Sequence, residues 1–395
     1  MSEPVILAKV EQGVGEITLN RPRALNSLNT EMVTQMYQVY RAWSNPDSGV
    51  RAILLTGAGG KAFCAGGDVK TVAQQVMAGQ QQAAMAFFQA EYVTDAAISQ
   101  LALPHISLLD GITMGGGAGV SMHGHFRVAT ERTLFAMPEC AIGLFPDVGM
   151  MALLPHLPGE LGAYLALTGA RLTGIAVKQA GLATHFIPSS HLHQVKQQLQ
   201  QAGPAASDLA HVNNILTDIE AAAAAEQNAG GTAQQQQQQQ QQAADQLFAK
   251  LPIINRCFGK ASVAQIVAAL QTETAELQWC KEALQQLQRG SPLSAAVTLA
   301  YYRRSRAASL SAVDCLQLDG VLCGHFTAGD GDFAEGVRAR LVDKDDKPCW
   351  KHASSEQVPD DLVQRFFRPR SQQDVIALHD ALTGPPRLPA AASKL

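Results

Sequence analysis

Five consecutive residues with almost no side chain, Gly115-Gly116-Gly117-Ala118-Gly119, restrict the fold of this chain more than any other feature. A run of this kind predicts a tight turn that opens a helix, with bare backbone able to approach another group closely and to point N–H groups at it. Two carboxylates, Glu139 and Asp147, follow in an otherwise apolar stretch. Apolar surroundings disfavour the charged form of a carboxylate and raise its pKa. The combination predicts a site that stabilises an oxyanion and moves protons or attacks a carbonyl.

The segments around this cluster predict an α/β layered core. Buried strands are expected at 52–56 and 105–109, and helices at 30–43 and 80–101. Further short strands are expected at 5–9, 14–19, 126–129 and 134–136. Strands that alternate with helices are typical of such a core.

Composition excludes several classes of protein. The chain has 395 residues, of which 47% are hydrophobic and 16% charged, as in a globular enzyme. Its net charge of −4 gives no electrostatic footprint for nucleic acid, and no apolar run reaches the ~20 residues of a membrane helix. Seven cysteines without a C-x-x-C pair favour a reducing compartment, and the histidines lack partners at metal-site spacing.

Composition changes near residue 200, and the chain is expected to divide into four parts. Residues 1–205 form the catalytic core and 206–246 an Ala/Gln-rich insertion with five alanines at 221–225 and nine glutamines at 234–242. Residues 247–385 form a helical region and 386–395 an exposed tail. The insertion shows no apolar face, so we expect a solvated segment; self-association through the glutamines is the less favoured alternative.

The last three residues, Ser393, Lys394 and Leu395, match the address that the peroxisomal import receptor reads. They predict a peroxisomal location, with that receptor as a partner.

Three loops carry the candidate chemistry. They span Asn20–Asn26, Ala62–Asp68 and the glycine cluster, and the last two open helices. Helix starts expose unpaired N–H groups with a favourable dipole, so two facing starts can hold one carbonyl oxygen. Neither a phosphate-binding G-K-[ST] loop nor a dinucleotide fingerprint is present.

Taken together, these motifs resemble the enoyl-CoA hydratase/isomerase (crotonase) superfamily, and most closely its 3-hydroxyisobutyryl-CoA hydrolase branch. The resemblance is carried by Asp110–Gly117, Phe126–Glu131, Ala136–Gly149 and Glu335–Trp350. It covers nearly the whole chain apart from the Ala/Gln insertion. It implies a ββα spiral core with a helical C-terminal region, an acyl-CoA substrate, no separate cofactor and a possible homo-oligomer.

The resemblance also implies roles for individual residues. The N–H groups of Gly67 and Gly116 match the donors that hold the thioester oxygen. Glu139 matches the carboxylate that acts on the acyl group as nucleophile or as base, and Asp147 matches the second acid of the hydrolase branch. The remaining substrate-binding positions are Glu91, Ala24, Ala65, Gly66, Asp68 and Gly115. Competing interpretations are a core cap or pair for Glu139, a turn residue for Asp147 and a helix cap for Asp68.

Position 119 distinguishes the hydratases of the superfamily from its hydrolases. Hydratases of the superfamily carry a second glutamate where this chain has Gly119, and glycine cannot transfer a proton. Hydrolysis needs one carboxylate to attack and one acid to assist, which Glu139 and Asp147 supply. Met150-Met151 departs from the hydrolase pattern and affects the acyl pocket. The sequence thus predicts hydrolysis of a short hydroxyacyl-CoA; the alternatives are an enoyl-CoA hydratase or isomerase and a non-catalytic acyl-CoA-binding protein.

Overall fold

The computed structural model describes residues 3–227, 232–376, 378 and 380–382. The strands are β1 (Ile6–Glu11), β2 (Val14–Leu19), β3 (Ala52–Gly57), β4 (Ala62–Cys64), β5 (His105–Leu109), β6 (Ile112–Met114), β7 (Phe126–Ala129), β8 (Leu134–Ala136), β9 (Leu172–Thr173) and β10 (His185–Phe186). Helices of the first half are α1 (Thr30–Trp43), α2 (Val69–Met77), α3 (Gln81–Ser99), α4 (Gly116–Met122), α5 (Leu161–Thr168), α6 (Ile175–Gln179) and α7 (Leu192–Ala202). They are followed by α8 (Leu209–Gln227), α9 (Thr232–Phe248), α10 (Leu251–Phe258), α11 (Val263–Thr272), α12 (Leu277–Arg289), α13 (Pro292–Ala308), α14 (Ala312–Thr327), α15 (Phe333–Val337) and α16 (Asp360–Phe366).

The strands form two sheets in the described part of the chain. The larger runs β1-β2-β3-β5-β7-β10 and the smaller β4-β6-β8-β9. The β1–β2 hairpin is antiparallel, and the other pairs of the larger sheet are parallel. In the smaller sheet β4, β6 and β8 are parallel, and β9 runs antiparallel to β8.

The chain alternates between the sheets in repeated ββα units. β3 of the larger sheet is followed by β4 of the smaller one, and β5–β6 and β7–β8 repeat this step. Helices α2 and α3 follow the first unit, and α4 follows the second. This succession is the ββα spiral that the sequence predicted, so the expected α/β fold is confirmed.

Side-chain alternation on β3 explains how the larger sheet is covered on both faces. Ile53 and Leu55 point into the main hydrophobic core, whereas Leu54 points to a second cluster on the other face. Leu216 of α8 belongs to that second cluster. Because both faces are covered by apolar side chains, the sheet holds the strand ends in fixed positions.

The helical C-terminal region shares the main core with the first half. That single cluster contains Leu19 of β2, Tyr92 of α3 and Leu322 of α14. Helix α14 packs along α3, which is buried on nearly every side from Ala84 to Ile98.

The helix expected after Asp68 is α2 and the one expected at 80–101 is α3, and Gly79 at φ +72° separates them. The structure corrects one expectation. The 206–246 segment is not without an apolar face: α8 buries Val212, Leu216 and Ile219, spaced four and three residues apart on one side of the helix. In α9, Gln240 Nε2 donates to the carbonyl of Glu131 over 2.8 Å. The boundaries of the four expected parts stay predictions.

Candidate active site

The candidate residues meet because three parallel strands end side by side. β4, β6 and β8 pair side by side, with Ile112 opposite Ala62 and Leu134, and the register of β4 shifts by one residue between Ala62 and Cys64. The loops that leave their carboxyl ends begin at Ala65, Gly115 and Met137. Parallel strands bring their carboxyl ends to one edge of the sheet, which explains why motifs far apart in sequence converge.

The backbone N–H groups of Gly67 and Gly116 lie close together at this edge of the smaller sheet. A β-carbon built on Gly116 would stand 3.2 Å from the amide nitrogen of Gly67, so the two backbones are in close apposition. Each is preceded by a glycine with positive φ, Gly66 at +112° and Gly115 at +48°. Within the described residues, neither the Gly67 nor the Gly116 N–H donates to a backbone carbonyl. Both donors are therefore available to a ligand, as helix starts and tight turns allow.

A cavity of about 850 Å³ opens beside these amides. It is lined by predicted site residues (Ala65, Gly66, Gly67, Glu91, Gly115, Gly116, Glu139 and Asp147). Apolar side chains such as Phe87, Ile142 and Leu144 cover much of its wall. At the rim, Arg171 and Arg289 line the cavity with exposed side chains.

Glu139 begins a 3-10 turn that Met137 and Pro138 separate from β8, and it is 5% exposed. Its Oε1 lies 2.8 Å from where a β-carbon of Gly115 would stand, and its Oε2 is buried without a hydrogen-bond partner among the described residues. Burial, reinforced by the nearby charge of Asp147, raises the pKa of Glu139 well above its usual range. A carboxylate in this state is a stronger base than one in water.

Asp147 is 4% exposed and occupies a strained loop. Burial raises its pKa to about 6, although a hydrogen bond from Tyr92 opposes that rise. The next residue, Val148, has φ +52°, a conformation that β-branched residues rarely adopt.

Three buried carboxyls flank the pair: Glu91 and Asp95 on α3 and Asp319 on α14. Glu91 lines the cavity, and its Oε1 contacts the place that a β-carbon of Gly116 would occupy. Burial and the neighbouring carboxylates raise the pKa of all three well above the usual range. Sequence reasoning missed Asp95 and Asp319, although two acids four residues apart in an apolar helix are a detectable signal for Asp95.

The structure does not bring two predicted residues into the cavity. Asp68 accepts from the N–H of Thr71 as the cap of α2 and pairs with Arg21 at 3.3 Å. This geometry fits the competing helix-cap interpretation. Ala24 ends the 3-10 turn Pro22–Ala24 and does not line the cavity; its carbonyl accepts from Ser27.

In the part of the chain that the structure describes, no group of three or more His, Cys, Asp or Glu side chains is arranged to hold a metal ion. Cys140, adjacent to Glu139, contacts Thr298 and the carbonyl of Ala166, and burial raises its pKa to about 12. A thiol in this state is a core side chain rather than a nucleophile. Among the described helices, none combines the length and apolarity needed to cross a membrane.

Comparison with known proteins places this geometry in context. A family model described as enoyl-CoA hydratase/isomerase matches residues 14–367. A probable 3-hydroxyisobutyryl-CoA hydrolase from Arabidopsis thaliana is 37% identical over 93% of this chain and 92% of its own length. The mitochondrial 3-hydroxyisobutyryl-CoA hydrolase of Gallus gallus is 39% identical over 94% and 90% of the two chains. A crystal structure of an enoyl-CoA hydratase from Rhodobacter sphaeroides superposes with a TM-score of 0.80 at 31% identity, over 94% of this chain and 99% of that one.

The comparison contradicts the expected peroxisomal location. The chicken relative and its counterparts from frog, rat and human are named as mitochondrial, which points to mitochondria instead. A match of three residues to an import signal is weaker evidence for the location than sequence similarity over nearly the whole chain. Ser393, Lys394 and Leu395 lie outside the described residues.

Proposed function

Because the chain belongs to the enoyl-CoA hydratase/isomerase family, we propose that it hydrolyses 3-hydroxyisobutyryl-CoA to 3-hydroxyisobutyrate and free CoA, a step of valine breakdown. Two full-length relatives carry the name of that hydrolase. The observation that carries the proposal is the cavity in which two unpaired glycine amides face two buried carboxyls.

The glycine amides bind the thioester oxygen. With the carbonyl oxygen between the N–H groups of Gly67 and Gly116, negative charge that develops on it is stabilised by two fixed donors in a site shielded from water. Losing one such donor costs other enzymes roughly 10²- to 10³-fold in rate.

Glu139 activates the attacking water. Its unpartnered Oε2 takes a proton as the water oxygen bonds to the acyl carbon, and the tetrahedral oxyanion rests on the two amides. Collapse of this intermediate breaks the carbon–sulfur bond. Asp147, which is protonated in the active form, gives its proton to the departing sulfur. The proton that Glu139 took from water then passes to Asp147, which restores the starting state.

Gly119 separates hydrolysis from hydration. A β-carbon there would stand 2.6 Å from Asp95 Oδ2, so the position has no space for the second glutamate that hydration requires. Water addition across a double bond therefore lacks one of its carboxylates.

The deciding experiment compares two substrates. Thiol release from 3-hydroxyisobutyryl-CoA is followed with a thiol reagent, and loss of crotonyl-CoA is followed by its absorbance. We expect thiol release and no crotonyl-CoA loss. The reverse result assigns the chain to the hydratases, and binding of both substrates without turnover leaves a non-catalytic acyl-CoA-binding protein.

A single turnover in ¹⁸O-water tests the role of Glu139. General-base catalysis puts the label in the released acid alone. Label in the Glu139 side chain would show that Glu139 attacks the thioester itself and forms an anhydride.

A further inference from the structure

We propose that Tyr92, supported by Cys323, is the positioning residue that fixes the orientation of the Asp147 carboxyl. This inference rests on the proposed function, in which Asp147 returns a proton to the departing sulfur. Tyr92 lies on α3 next to Glu91, but its phenol points away from the cavity and behind Asp147.

The backbone of the Asp147 loop is already held from both sides. His123 Nε2 bonds to the carbonyl of Val148 over 2.7 Å, and the Gly149 N–H donates to Asp319 Oδ2 over 2.7 Å. These two bonds maintain Val148 at its positive φ, a conformation that persists only when its surroundings enforce it. Rotation of the Asp147 side chain is the freedom that they leave.

Tyr92 removes that freedom. Its hydroxyl donates to Asp147 Oδ2 over 2.6 Å, and both residues are almost fully buried. Since a phenol has one proton, the neighbouring Cys323 Sγ, 3.0 Å from the same oxygen, is then the donor to it. The thiol, the phenol and the carboxylate thus form one directed chain of hydrogen bonds. Asp147 itself lines the cavity.

The charges of the groups around Asp147 explain why a neutral hydrogen-bond donor, the phenol of Tyr92, matters for this carboxyl. Those that face it from the packed elements are, besides Tyr92 and Cys323, the imidazole of His123 and the carboxyls of Glu91, Asp95, Glu139 and Asp319. Burial lowers the pKa of His123, which keeps that imidazole neutral near pH 7. The phenol of Tyr92 therefore supports the ionised form of Asp147 where no cation does. Its hydrogen bond lowers the pKa of Asp147 and opposes burial.

The test compares Tyr92→Phe with Tyr37→Phe. Tyr37 is equally buried, and its hydroxyl makes one hydrogen bond, to the carbonyl of Ala381, outside the cavity. We expect Tyr92→Phe to lower kcat by roughly 10- to 100-fold, a typical range for a misplaced proton donor, while KM changes little. The alkaline limb of the kcat/KM profile, which reports loss of the Asp147 proton, should move to higher pH, because removing the hydrogen bond from Tyr92 raises the pKa of Asp147. Tyr37→Phe should leave both quantities at wild-type values.

Cys323→Ala provides a graded variant. It removes the outer donor but keeps the Tyr92–Asp147 bond, so the alkaline limb should move in the same direction by less. A loss of rate in Tyr92→Phe that is uniform at every pH, or a wild-type profile, overturns the proposal.

A second readout does not depend on turnover. Carboxyl ¹³C resonances titrated in the wild type and in Tyr92→Phe, with the Asp147 signal assigned through Asp147→Asn, report the pKa of Asp147 directly. If the wild type releases no thiol, the proposed function fails while this titration still tests Tyr92. An unchanged Asp147 titration in Tyr92→Phe would overturn the role of Tyr92 alone.

Discussion

Gly119 of α4 stands against Asp95 of α3: a β-carbon at position 119 would lie 2.6 Å from the Oδ2 of Asp95 and 2.7 Å from the Cβ of Val148. Real β-carbons essentially never approach other atoms this closely. The absence of an acid at position 119 is thus built into the packing of two helices and the Asp147 loop.

We expect Gly119→Ala to destabilise the protein by about 1–3 kcal/mol, the usual range for an overpacked core. Activity should fall as well, since Val148 would be pushed together with Asp147. Thermal unfolding and thiol release measure the two effects. Ser121→Ala on the same helix is the matched control, because its hydroxyl bonds to carbonyls of that helix. A Gly119→Ala protein as stable as the wild type would contradict the packing argument.

Replacing Glu139 with glutamine should reduce turnover by about 10³-fold or more, because the amide cannot accept a proton from water. Substrate affinity should persist, since the shape of the side chain is kept. Cys140→Ala changes the next residue, whose thiol points into the core, and should retain activity. Wild-type turnover by Glu139→Gln would remove Glu139 from the mechanism.

Substitutions of Glu91 test whether this buried acid acts in its neutral form. Its pKa is raised well above the usual range by burial and by the charges of Asp147 and Glu139. A neutral carboxylic acid donates a hydrogen bond, and a glutamine amide can replace that donor. Glu91→Gln should therefore stay within roughly tenfold of wild-type kcat, whereas Glu91→Ala should lose much more. Equal losses in both variants would show that the ionised form is required.

Asp147 should make the protein less stable as pH rises. The unfolded chain releases this proton near the ordinary value of 3.8 and the folded chain near 6, so the folded state binds more protons between these values. Stability is therefore lost across that window, by at most about 3 kcal/mol. Asp147→Asn should unfold at a higher temperature than the wild type at pH 8, and the difference should vanish near pH 4. A constant difference at both pH values would contradict the raised pKa.

The arginines at the rim should attract the phosphates of CoA. Arg171 and Arg289 line the cavity with exposed side chains, while the chain as a whole carries a net charge of −4. Replacing both with alanine should raise KM several-fold without changing kcat, and added salt should weaken wild-type affinity in the same way. An acyl-pantetheine substrate, which lacks those phosphates, should be insensitive to the change. Lys281→Ala, on the same helix as Arg289 but away from the cavity, is the control.

Much of the structure of the first half of the chain could be predicted from the sequence, because the residue patterns that determine its strands and turns are local. Alternating apolar residues and turn glycines predicted β2, β5, β7 and β8 with their observed bounds, and the helix expected at 30–43 is α1. The glycine cluster and the apolar surroundings of Glu139 and Asp147 likewise predicted one shared site, and the structure brings them to one cavity.

The rest depends on contacts between distant segments. Nothing near Asp319 in sequence reveals that it accepts from Gly149, and nothing near Tyr92 reveals Asp147. The apolar face of α8 was missed because Val212, Leu216 and Ile219 precede an alanine run that dominates the local composition. Asp68 was ambiguous from the start, since one aspartate at a helix start fits a cap and a ligand equally well.

The bonds that hold the Asp147 loop have a consequence for synthesis on the ribosome. Asp319 and Cys323 both come from α14, near the end of the chain, yet they hold a loop and a phenol made much earlier. In the nascent protein, the hydrogen bonds that position Asp147 cannot all form until α14 has emerged from the ribosome and docked on α3. Until then it exposes a long apolar helix, so premature termination after residue 290 should yield a species that requires chaperones rather than a smaller working enzyme.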